Sequence, residues 1–419
     1  MSGTERRQIS AYSEANDPSS IASRQLTDFN RVWEKCAGIP FYQSWAREHG
    51  LPAQVGSLEE IQLFPPLTKK EIIGRSDEIF QHGAITQAYS TGGSSGEPTR
   101  FPAALHEALD NYARTYAARS WWGLQPMDPY LHIWGHSHLF GGGPVQKLKR
   151  RVQDTLSGAM RVNAYDMSEE GIAGHYQALI RQNPMSIIGY TSAVFRLARH
   201  IEHHKLRTRG LTRLKAVIVT SETVTEPDIE VLERVFGVPV VIEYGSAETG
   251  TIATSRGNSF PLQVLHLSNL VQLASEGGIR VTTLTDRIFP LINYDIGDRG
   301  EAAERSGGSV LKLAHVQGRA REVVKVRKVN GQMLELSPIL PVHILKSEPG
   351  IVAVQYRQHA DRLEILLTGH GELPLSELAQ LFGQRLGTDH PDFDPASVTF
   401  EQVPAPVLTK AGKHALFVS

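Results

Sequence analysis

The sequence predicts an α/β protein with a large N-terminal domain of parallel-type sheets and flanking helices, followed by a small C-terminal α+β domain. Its 419 residues are a length that usually forms two or three domains. β-branched runs at 214–220 and 238–244 flank a helical stretch at 226–236, which is the order of a βαβ unit. The pattern of predicted strands and helices changes near residue 317, so we place the two domains at 1–317 and 318–419.

The N-terminal helices follow from apolar spacing and from breaks. Apolar and aromatic side chains at 26–48 have mixed helical spacing and are interrupted at Gly38-Ile39-Pro40, which predicts two helices separated by a turn. Thr68 followed by Glu71 is a capping-box pattern, so a helix should begin there. Further helices are predicted at 105–122, 167–182 and 191–204.

The later elements place two loops at a sheet edge. The runs at 214–220 and 238–244 resemble buried parallel strands, and ligand sites of such sheets lie beyond the carboxyl ends of the strands. The loops at 221–223 and 244–250 occupy those positions. The C-terminal domain is predicted to contain strands at 323–329, 352–356 and 363–367 and helices at 340–346 and 375–386.

Composition argues against several classes of function. The chain has 43 Lys and Arg against 44 Asp and Glu, a formal net charge of −1, so no general field attracts nucleic acid or an anionic membrane. The single Cys36 excludes an internal disulfide framework and a cysteine-rich metal cluster. Residues 1–20 lack the apolar region of a secretory leader, and no apolar run has spanning length, so we expect a cytoplasmic protein with no nucleic-acid or membrane partner.

The strongest local signal is the Gly- and hydroxyl-rich loop at 89–99. Glycines allow the backbone to direct several N–H groups onto one anion, and hydroxyls add further donors, so the loop resembles a phosphate cradle. It lacks the GK[ST] ending of a nucleoside-triphosphatase loop, and a flexible surface turn is the alternative. The cradle residues are Ser90, Thr91, Gly92, Gly93, Ser94, Ser95 and Gly96.

Two acidic residues in loops are candidate ligands. Glu248 follows a buried strand in a Gly-flanked loop, where a carboxylate can hold Mg²⁺ together with substrate phosphate oxygens, although a simple turn fits equally well. Asp298 can accept hydrogen bonds from a ribose diol, but Gly-Asp is also a common turn dipeptide.

Three further features have weaker signals. The stretch 318–322 lies at the predicted domain boundary, and Lys413 would ordinarily be a solvated charge near a chain end. His132, His136 and His138 suggest zinc, but no cysteine or nearby carboxylate completes a tetrahedral set, and structural or surface histidines are the alternative.

Taken in order, these stretches resemble the adenylate-forming superfamily of acyl-CoA synthetases, peptide-synthetase adenylation domains and luciferases. The phenylacetate-CoA ligases and their capsule-biosynthesis relatives are the most similar branch, because 39–42 and 64–69 also look like its N-terminal region. The resemblance covers nearly the whole chain. It implies that the C-terminal domain is a mobile lid that rotates between two half-reactions.

The resemblance also implies roles for individual residues. Loop 90–96 would close over the ATP phosphates, Glu248 would bind Mg²⁺, and Lys413 would contact the acid and the α-phosphate as a catalytic residue. His136, His138 and Ala247 would line the acid pocket, and Glu322 would be the hinge. The residues around adenine and ribose would be Ser221, Glu222, Tyr244, Gly245, Ser246, Asp298 and Arg319.

The implied activity is that of an ATP-dependent ligase of the acid-thiol type. It would activate a carboxylic acid, aryl or acyl, as its adenylate with pyrophosphate release, and transfer it to a thiol such as CoA or carrier-protein pantetheine. ATP and Mg²⁺ are the expected cofactors. Three alternatives stay open: an amine as the acceptor, a non-carboxylate oxyanion as the activated substrate, and a homodimer as the oligomeric state.

Two departures from the family pattern bear on this activity. Ala247 replaces the usual Thr before the Mg²⁺ carboxylate, so Ser246 or Thr249 would have to supply the phosphate contact. The stretch 326–331 differs from the usual sequence after the hinge in CoA-using relatives, which weakens CoA as the acceptor. Because of these two departures, a non-catalytic nucleotide-binding protein is the alternative to an enzyme.

Overall fold

The structure is a computed structural model that describes residues 18–80, 87–90, 100–134, 154, 157–164, 169–317, 324–336, 339–346, 348–408 and 414–418. The chain forms two compact units. Unit 1 comprises Met1–Pro126 and Val241–Ala320, and unit 2 comprises Met127–Val240 and Arg321–Ser419. The division into domains at 1–317 and 318–419 stays a prediction.

The described helices agree closely with the sequence prediction. The predicted pair at 26–48 is confirmed as α1 and α2, broken at Gly38-Ile39-Pro40, and the predicted helix at 105–122 ends as a short 3₁₀ turn, Ser120–Trp122. Unit 1 contains α1 (Pro18–Cys36), α2 (Pro40–His49), α3 (Lys69–Gly74), α4 (Ser76–Phe80) and α5 (Leu105–Arg119). Unit 2 contains α6 (Glu169–Gln182), α7 (Thr191–His203), α8 (Glu226–Phe236), α9 (Ile339–Lys346) and α10 (Leu375–Asp389).

Unit 1 is built on an antiparallel sheet that the sequence analysis did not predict. Its strand order is β10-β11-β12-β13-β9-β8-β7, and β1 and β2 form a separate antiparallel pair. The strands are β1 (Gln87–Ser90), β2 (Arg100–Ala103), β7 (Val240–Ser246), β8 (Gly250–Arg256), β9 (Asn258–Val264), β10 (Asn269–Leu273), β11 (Gly278–Thr283), β12 (Tyr294–Ser306) and β13 (Ser309–Gln317).

Unit 2 contains the parallel sheet. The order is β6-β5-β3-β4 with all neighbours parallel, and β5, α7 and β6 form a βαβ unit. A second sheet, β16-β17-β18, and the pair β14-β15 come from the C-terminal residues. The strands are β3 (Tyr130–Trp134), β4 (Ala159–Asn163), β5 (Ser186–Tyr190), β6 (Ala216–Thr220), β14 (Val324–Arg327), β15 (Met333–Leu336), β16 (Ile351–Gln358), β17 (Leu363–Gly369) and β18 (Val398–Gln402). The predicted α/β fold class is confirmed.

The N-terminal helices of unit 1 bury an aromatic cluster. On α1 the buried residues Phe29, Val32, Trp33 and Cys36 recur at helical spacing, so they share one face. The indoles of Trp33 and Trp45 meet edge to face with centroids 6.3 Å apart. We call the following set the aromatic cluster: Phe29, Trp33, Phe41, Tyr42, Trp45, Phe64 and Phe289.

Within unit 2 the C-terminal elements pack against α7 and α8. Lys346 of α9 forms an ion pair with Asp228 of α8, and both side chains are nearly inaccessible to solvent. The Arg199 Nη2 of α7 donates to the backbone carbonyl of Lys346 at 3.0 Å. No helix among the described residues is long and apolar enough to cross a membrane.

Candidate functional site

The loop after β7 is a tight turn that only glycine allows at two positions. A Cβ on Gly245 would lie 2.2 Å from the carbonyl oxygen of Gly250, and Gly250 itself has a φ of +72°. The hydroxyls of Ser246 and Thr249 lie 3.0 Å apart, and each residue's hydroxyl also accepts from the other's backbone N–H at 3.2 Å. Thr249 therefore holds the turn together, while Ala247 at its tip is exposed.

Helix α5 fixes the position of this turn. The Asn111 Oδ1 accepts from the Thr251 backbone N–H at 3.1 Å, and the Thr115 and Thr251 hydroxyls lie 2.9 Å apart. One turn further along, Arg119 makes two hydrogen bonds to the Glu243 carboxylate, of 2.7 and 2.9 Å. The ends of β7 and β8 are thereby attached to α5 by charged and neutral hydrogen bonds.

Glu248 is buried at the turn with two partners. Its side chain is 2% exposed. The Tyr294 hydroxyl donates to its Oε1 at 2.8 Å, and the Lys69 Nζ lies 3.3 Å from the same oxygen. A carboxylate this buried is stable as an anion only when such partners compensate for lost hydration. The Lys69 side chain is 37% exposed, so this half of the ion pair is only partly buried.

Backbone pairing explains why Lys69 reaches Glu248. Leu67 pairs with Tyr294 in a parallel bridge, and its carbonyl accepts from the Asp295 N–H at 2.9 Å. Helix α3 begins immediately after, because Thr68 and Glu71 form the predicted capping box, with the Glu71 N–H donating to the Thr68 Oγ1 at 3.3 Å. Lys69 is the first residue of α3.

A second tyrosine and carboxylate belong to the same site. The Tyr244 hydroxyl donates to the Asp298 Oδ2 at 3.0 Å. Burial raises the pKa of Tyr244 well above its usual range, and Asp298 and then Glu248 add to the shift. Burial also raises the pKa of Tyr294, with further contributions from Glu248 and Asp298. Both hydroxyls are therefore protonated donors at neutral pH.

The other two predicted adenine residues lie in unit 2. Ser221 has a φ of +68° and is exposed at the end of β6. The Glu222 Oε2 accepts from the Ser192 N–H at 2.7 Å, and its Oε1 accepts from the Ser192 hydroxyl and the His414 N–H, both at 3.0 Å. Glu222 thus binds the N-terminal turn of α7 and the residue after Lys413.

Several predicted site residues lie outside the described residues. Ser90 ends β1, but the placement of its side chain is not described. The residues outside are Thr91, Gly92, Gly93, Ser94, Ser95, Gly96, His136, His138, Arg319, Glu322 and Lys413.

The sequence analysis missed three contributors to the site. Lys69 belongs to the similar N-terminal stretch 64–69 without being singled out there, and Tyr294 is not among the predicted site residues. Asn111 gave no signal, because a polar residue in a predicted helix is ordinarily solvated. The capping box at Thr68 was the one local signal that could have directed attention to Lys69.

Comparison with known proteins identifies the fold. No family model matches the chain. Protein CapK of Staphylococcus aureus is 23% identical over 341 residues, which cover 77% of this chain and 72% of CapK. A structure of 2-hydroxyisobutyryl-CoA ligase in the postadenylation state with R3-HIB-AMP matches with a TM-score of 0.72 at 16% identity, covering 94% of this chain and 88% of that chain.

Two further solved structures match over most of this chain. ATP-bound MatB from Rhodopseudomonas palustris has a TM-score of 0.52 at 16% identity and covers 79% of this chain and 67% of that one. Anthranilate CoA ligase AuaEII with anthranoyl-AMP has a TM-score of 0.54 at 14% identity, covering 78% and 65%. The predicted resemblance is therefore confirmed for the fold: this chain has the fold of the adenylate-forming superfamily.

Proposed function

We propose that the protein is an ATP-dependent ligase that activates a carboxylic acid, aryl or acyl, as its adenylate and releases pyrophosphate. The observation that carries the proposal is the buried Glu248, held by Tyr294 and Lys69 beside the Tyr244–Asp298 pair. The fold supports it, since similar structures contain ATP or an acyl-AMP.

The residues around Glu248 fit a bound Mg²⁺. Tyr294 and Lys69 both contact Oε1, which leaves Oε2 without a hydrogen bond from the described residues. Mg²⁺ commonly binds to one or two carboxylates and completes its shell with phosphate oxygens and water. Glu248 would hold the ion, and the ion would neutralise charge on the phosphates.

The chain's own residues would position the nucleotide. Lys69 has a partly exposed side chain with a flexible stem, so its ammonium would exchange the contact with Glu248 for a phosphate oxygen. Tyr244 donates to the Asp298 Oδ2 and so helps to orient this carboxylate, which would bind the ribose. In the chemical step the acid's carboxylate attacks the α-phosphorus and the bond to the bridging oxygen of pyrophosphate breaks, so no general base is needed.

The second half-reaction is proposed to transfer the acyl group to a thiol. CoA is supported by 2-hydroxyisobutyryl-CoA ligase, a neighbour captured with its adenylate and CoA. Carrier-protein pantetheine has the same reacting thiol, and an amine would give an amide instead. The phenylacetate-CoA branch and a cytoplasmic location are part of the same proposal.

Pyrophosphate release in the presence of ATP and Mg²⁺ tests the first half-reaction. A panel of aryl and fatty acids is assayed with and without hydroxylamine, which traps an acyl-adenylate as the hydroxamate. We expect acid-dependent release that Glu248→Gln lowers at least about 100-fold, because a transition-state charge contact is lost. Glu276→Gln, an exposed carboxylate of unit 1, is the matched control. Full activity in Glu248→Gln would refute the assignment.

Lys413 is proposed as the cation that acts only in adenylation. Lys413→Ala should suppress pyrophosphate release but leave transfer from a supplied acyl-adenylate to the acceptor unchanged. Lys410→Ala, three residues earlier, is the control for a nonspecific loss of charge. Equal loss in both half-reactions would contradict a role limited to adenylation.

The Lys69–Glu248 ion pair favours one alternative function. An ammonium already neutralises part of the carboxylate charge, which suits a nucleotide-binding protein without a catalytic metal. That protein would bind ATP without releasing pyrophosphate from any acid. ATP affinity that is independent of Mg²⁺, together with no turnover, would support it.

A further inference from the structure

Three histidines and one glutamate of unit 2 lie close together. His200 and His204 lie near the end of α7, one helical turn apart, and Glu169 is the first residue of α6. His370 follows β17 in the C-terminal sheet. We call these four residues the histidine cluster.

The ligand atoms of the histidine cluster surround the Glu169 carboxylate. The His200 Nδ1 lies 3.3 Å and the His204 Nε2 3.6 Å from Oε2 of Glu169, and the His370 Nδ1 lies 3.4 Å from its Oε1. The donor atoms of Glu169, His200 and His204 all lie within 4.8 Å of one another. Ligands about 2.0–2.1 Å from a tetrahedral ion are about 3.3 Å apart, so small side-chain adjustments would bring Glu169, His200 and His204 onto one ion. His370 lies beside the other oxygen of Glu169 and would complete the shell by a larger movement.

The protonation states in the histidine cluster suit a metal. Burial, followed by neighbouring imidazoles, lowers the pKa of His200 and of His370, which favours the neutral form of each ring. For Glu169 burial opposes ionisation, but His370, His200 and His204 outweigh it and lower its pKa, so it is an anion. Neutral imidazole and carboxylate are the forms that bind metal.

Three imidazoles and one carboxylate select the kind of ion. Imidazole suits Zn²⁺, Ni²⁺ and Cu²⁺, whereas Mg²⁺ and Ca²⁺ prefer oxygen ligands. Arg196 also interacts electrostatically with Glu169, which disfavours a hard cation bound mainly through the carboxylate. The histidine cluster therefore favours a different kind of metal ion from the one that the single carboxylate of Glu248 would bind.

We propose that Glu169, His200, His204 and His370 form a binding site for a divalent transition metal, with Zn²⁺ as the best-fitting ion. The bound ion connects the C-terminal sheet, through His370, to α6 and α7. His203 stacks on His370 with ring centroids 4.6 Å apart and supports the orientation of that ligand. Metal binding at this site can be measured without ATP or an acid substrate, separately from the proposed ligase reaction.

Cobalt serves as the spectroscopic probe of the site. The full chain, treated with chelator and then freed of it, is titrated with Co²⁺, whose visible absorption intensifies in a tetrahedral nitrogen and oxygen shell. Zn²⁺ should then displace it. We expect one equivalent of Co²⁺ per chain and at least about tenfold weaker binding in His200→Ala, His370→Ala and Glu169→Gln.

Two variants make the test decisive. Glu169→Gln alters a largely exposed side chain, so it should fold even if His200→Ala does not. His359→Ala removes a histidine that contacts a single carboxylate, Glu364, at 3.3 Å, and should bind Co²⁺ like the unaltered chain. The proposed site would be wrong if the unaltered chain did not bind one equivalent of Co²⁺, or if folded Glu169→Gln bound Co²⁺ as tightly as the unaltered chain. If only His370→Ala bound Co²⁺ as tightly as the unaltered chain, His370 would not be a ligand. No nucleotide is present, so failure of the ligase proposal would not alter the result.

Discussion

Tyr294 is the residue whose hydroxyl compensates most directly for the burial of Glu248. In Tyr294→Phe the carboxylate loses a 2.8 Å hydrogen bond with no solvent to replace it, so we expect the free energy of unfolding to fall by about 2 kcal/mol. Urea denaturation measures the change. Tyr176→Phe, which removes an exposed hydroxyl bonded to the Arg207 carbonyl, should cost well below about 1 kcal/mol. Equal costs would show that burial of Glu248 does not depend on Tyr294.

Substitutions at Gly250 and Gly257 distinguish the cost of a steric conflict from the cost of backbone strain. Both have positive φ, but a Cβ on Gly250 would lie 2.1 Å from the Asn111 Oδ1, whereas one on Gly257 would meet nothing within 4 Å. We expect Gly257→Ala to destabilise the protein by about 1 kcal/mol and Gly250→Ala by about 2 to 3 kcal/mol, since Asn111 must also release Thr251. Thermal unfolding of the two variants gives the comparison, and a smaller cost for Gly250→Ala would contradict it.

At this scale the sequence could predict the strand and turn that contain Glu248, but not the side chains around it. A carboxylate in a Gly-flanked loop after a strand is a local pattern, and the predicted strand and turn are both present. Lys69 reaches Glu248 only because Leu67 pairs with Tyr294, and that pairing joins segments far apart in the sequence. Such contacts depend on tertiary structure, which local periodicity does not encode.

Helix α7 depends on a carboxylate from another element for its N-terminal cap. Glu222→Ala would leave the Ser192 and His414 N–H groups without this acceptor, so we expect about 2 kcal/mol lower stability and faster amide exchange in 414–418. Hydrogen exchange followed by mass spectrometry measures both effects. Glu226→Ala, in the exposed first turn of α8, should cost less than about 1 kcal/mol and leave 414–418 unchanged. Identical exchange in the two variants would rule out the proposed role of Glu222.

Some helices and strands could be predicted because the nearby sequence marks where they begin and end, and others could not. Helix α8 agrees with its prediction at 226–236, because Thr225 and Asp228 form a capping box and Gly237 adopts a left-handed conformation at its end. The antiparallel strands from β8 to β13 were missed. In β12, glycines and bulges interrupt the pairing with both neighbours, so its register cannot be inferred from a simple two-residue alternation.

At the scale of the whole molecule, stability should decrease on acidification in both units. Burial lowers the pKa of His266 in unit 1 to about 4 and that of His414 in unit 2 to about 3, against about 6.5 when unfolded. Below pH 6.5 the unfolded chain binds protons that the folded chain does not. The free energy of unfolding should therefore fall by up to about 1.4 kcal/mol per pH unit for each histidine.

Urea denaturation between pH 7.5 and about pH 4.5 tests this dependence. His266→Gln removes one titrating group, so the slope below pH 6.5 should become shallower even if the variant is less stable throughout. The slope is compared rather than the absolute stability, because glutamine also changes packing around a buried position. An unchanged slope would exclude His266 as a source of acid sensitivity.

The fold class was predictable from ordered motifs, although overall identity to the matching solved structures is 14 to 16%. The stretches around Thr68, Glu248 and Asp298 contain glycines, caps and carboxylates that a fixed backbone geometry requires. The histidine cluster was not predictable, because His370 meets Glu169 only when the C-terminal sheet packs against α7.

The distribution of tryptophan makes the aromatic cluster an optical reporter. Trp33 and Trp45 lie in that cluster, Trp121 and Trp122 also belong to unit 1, and Trp134 belongs to unit 2. Four of the five tryptophans therefore lie in unit 1, and indole fluorescence reports mainly on that unit. In Trp134→Phe all of the remaining tryptophans would lie in unit 1. Comparing that emission with circular dichroism would show whether the two units unfold together or one after the other.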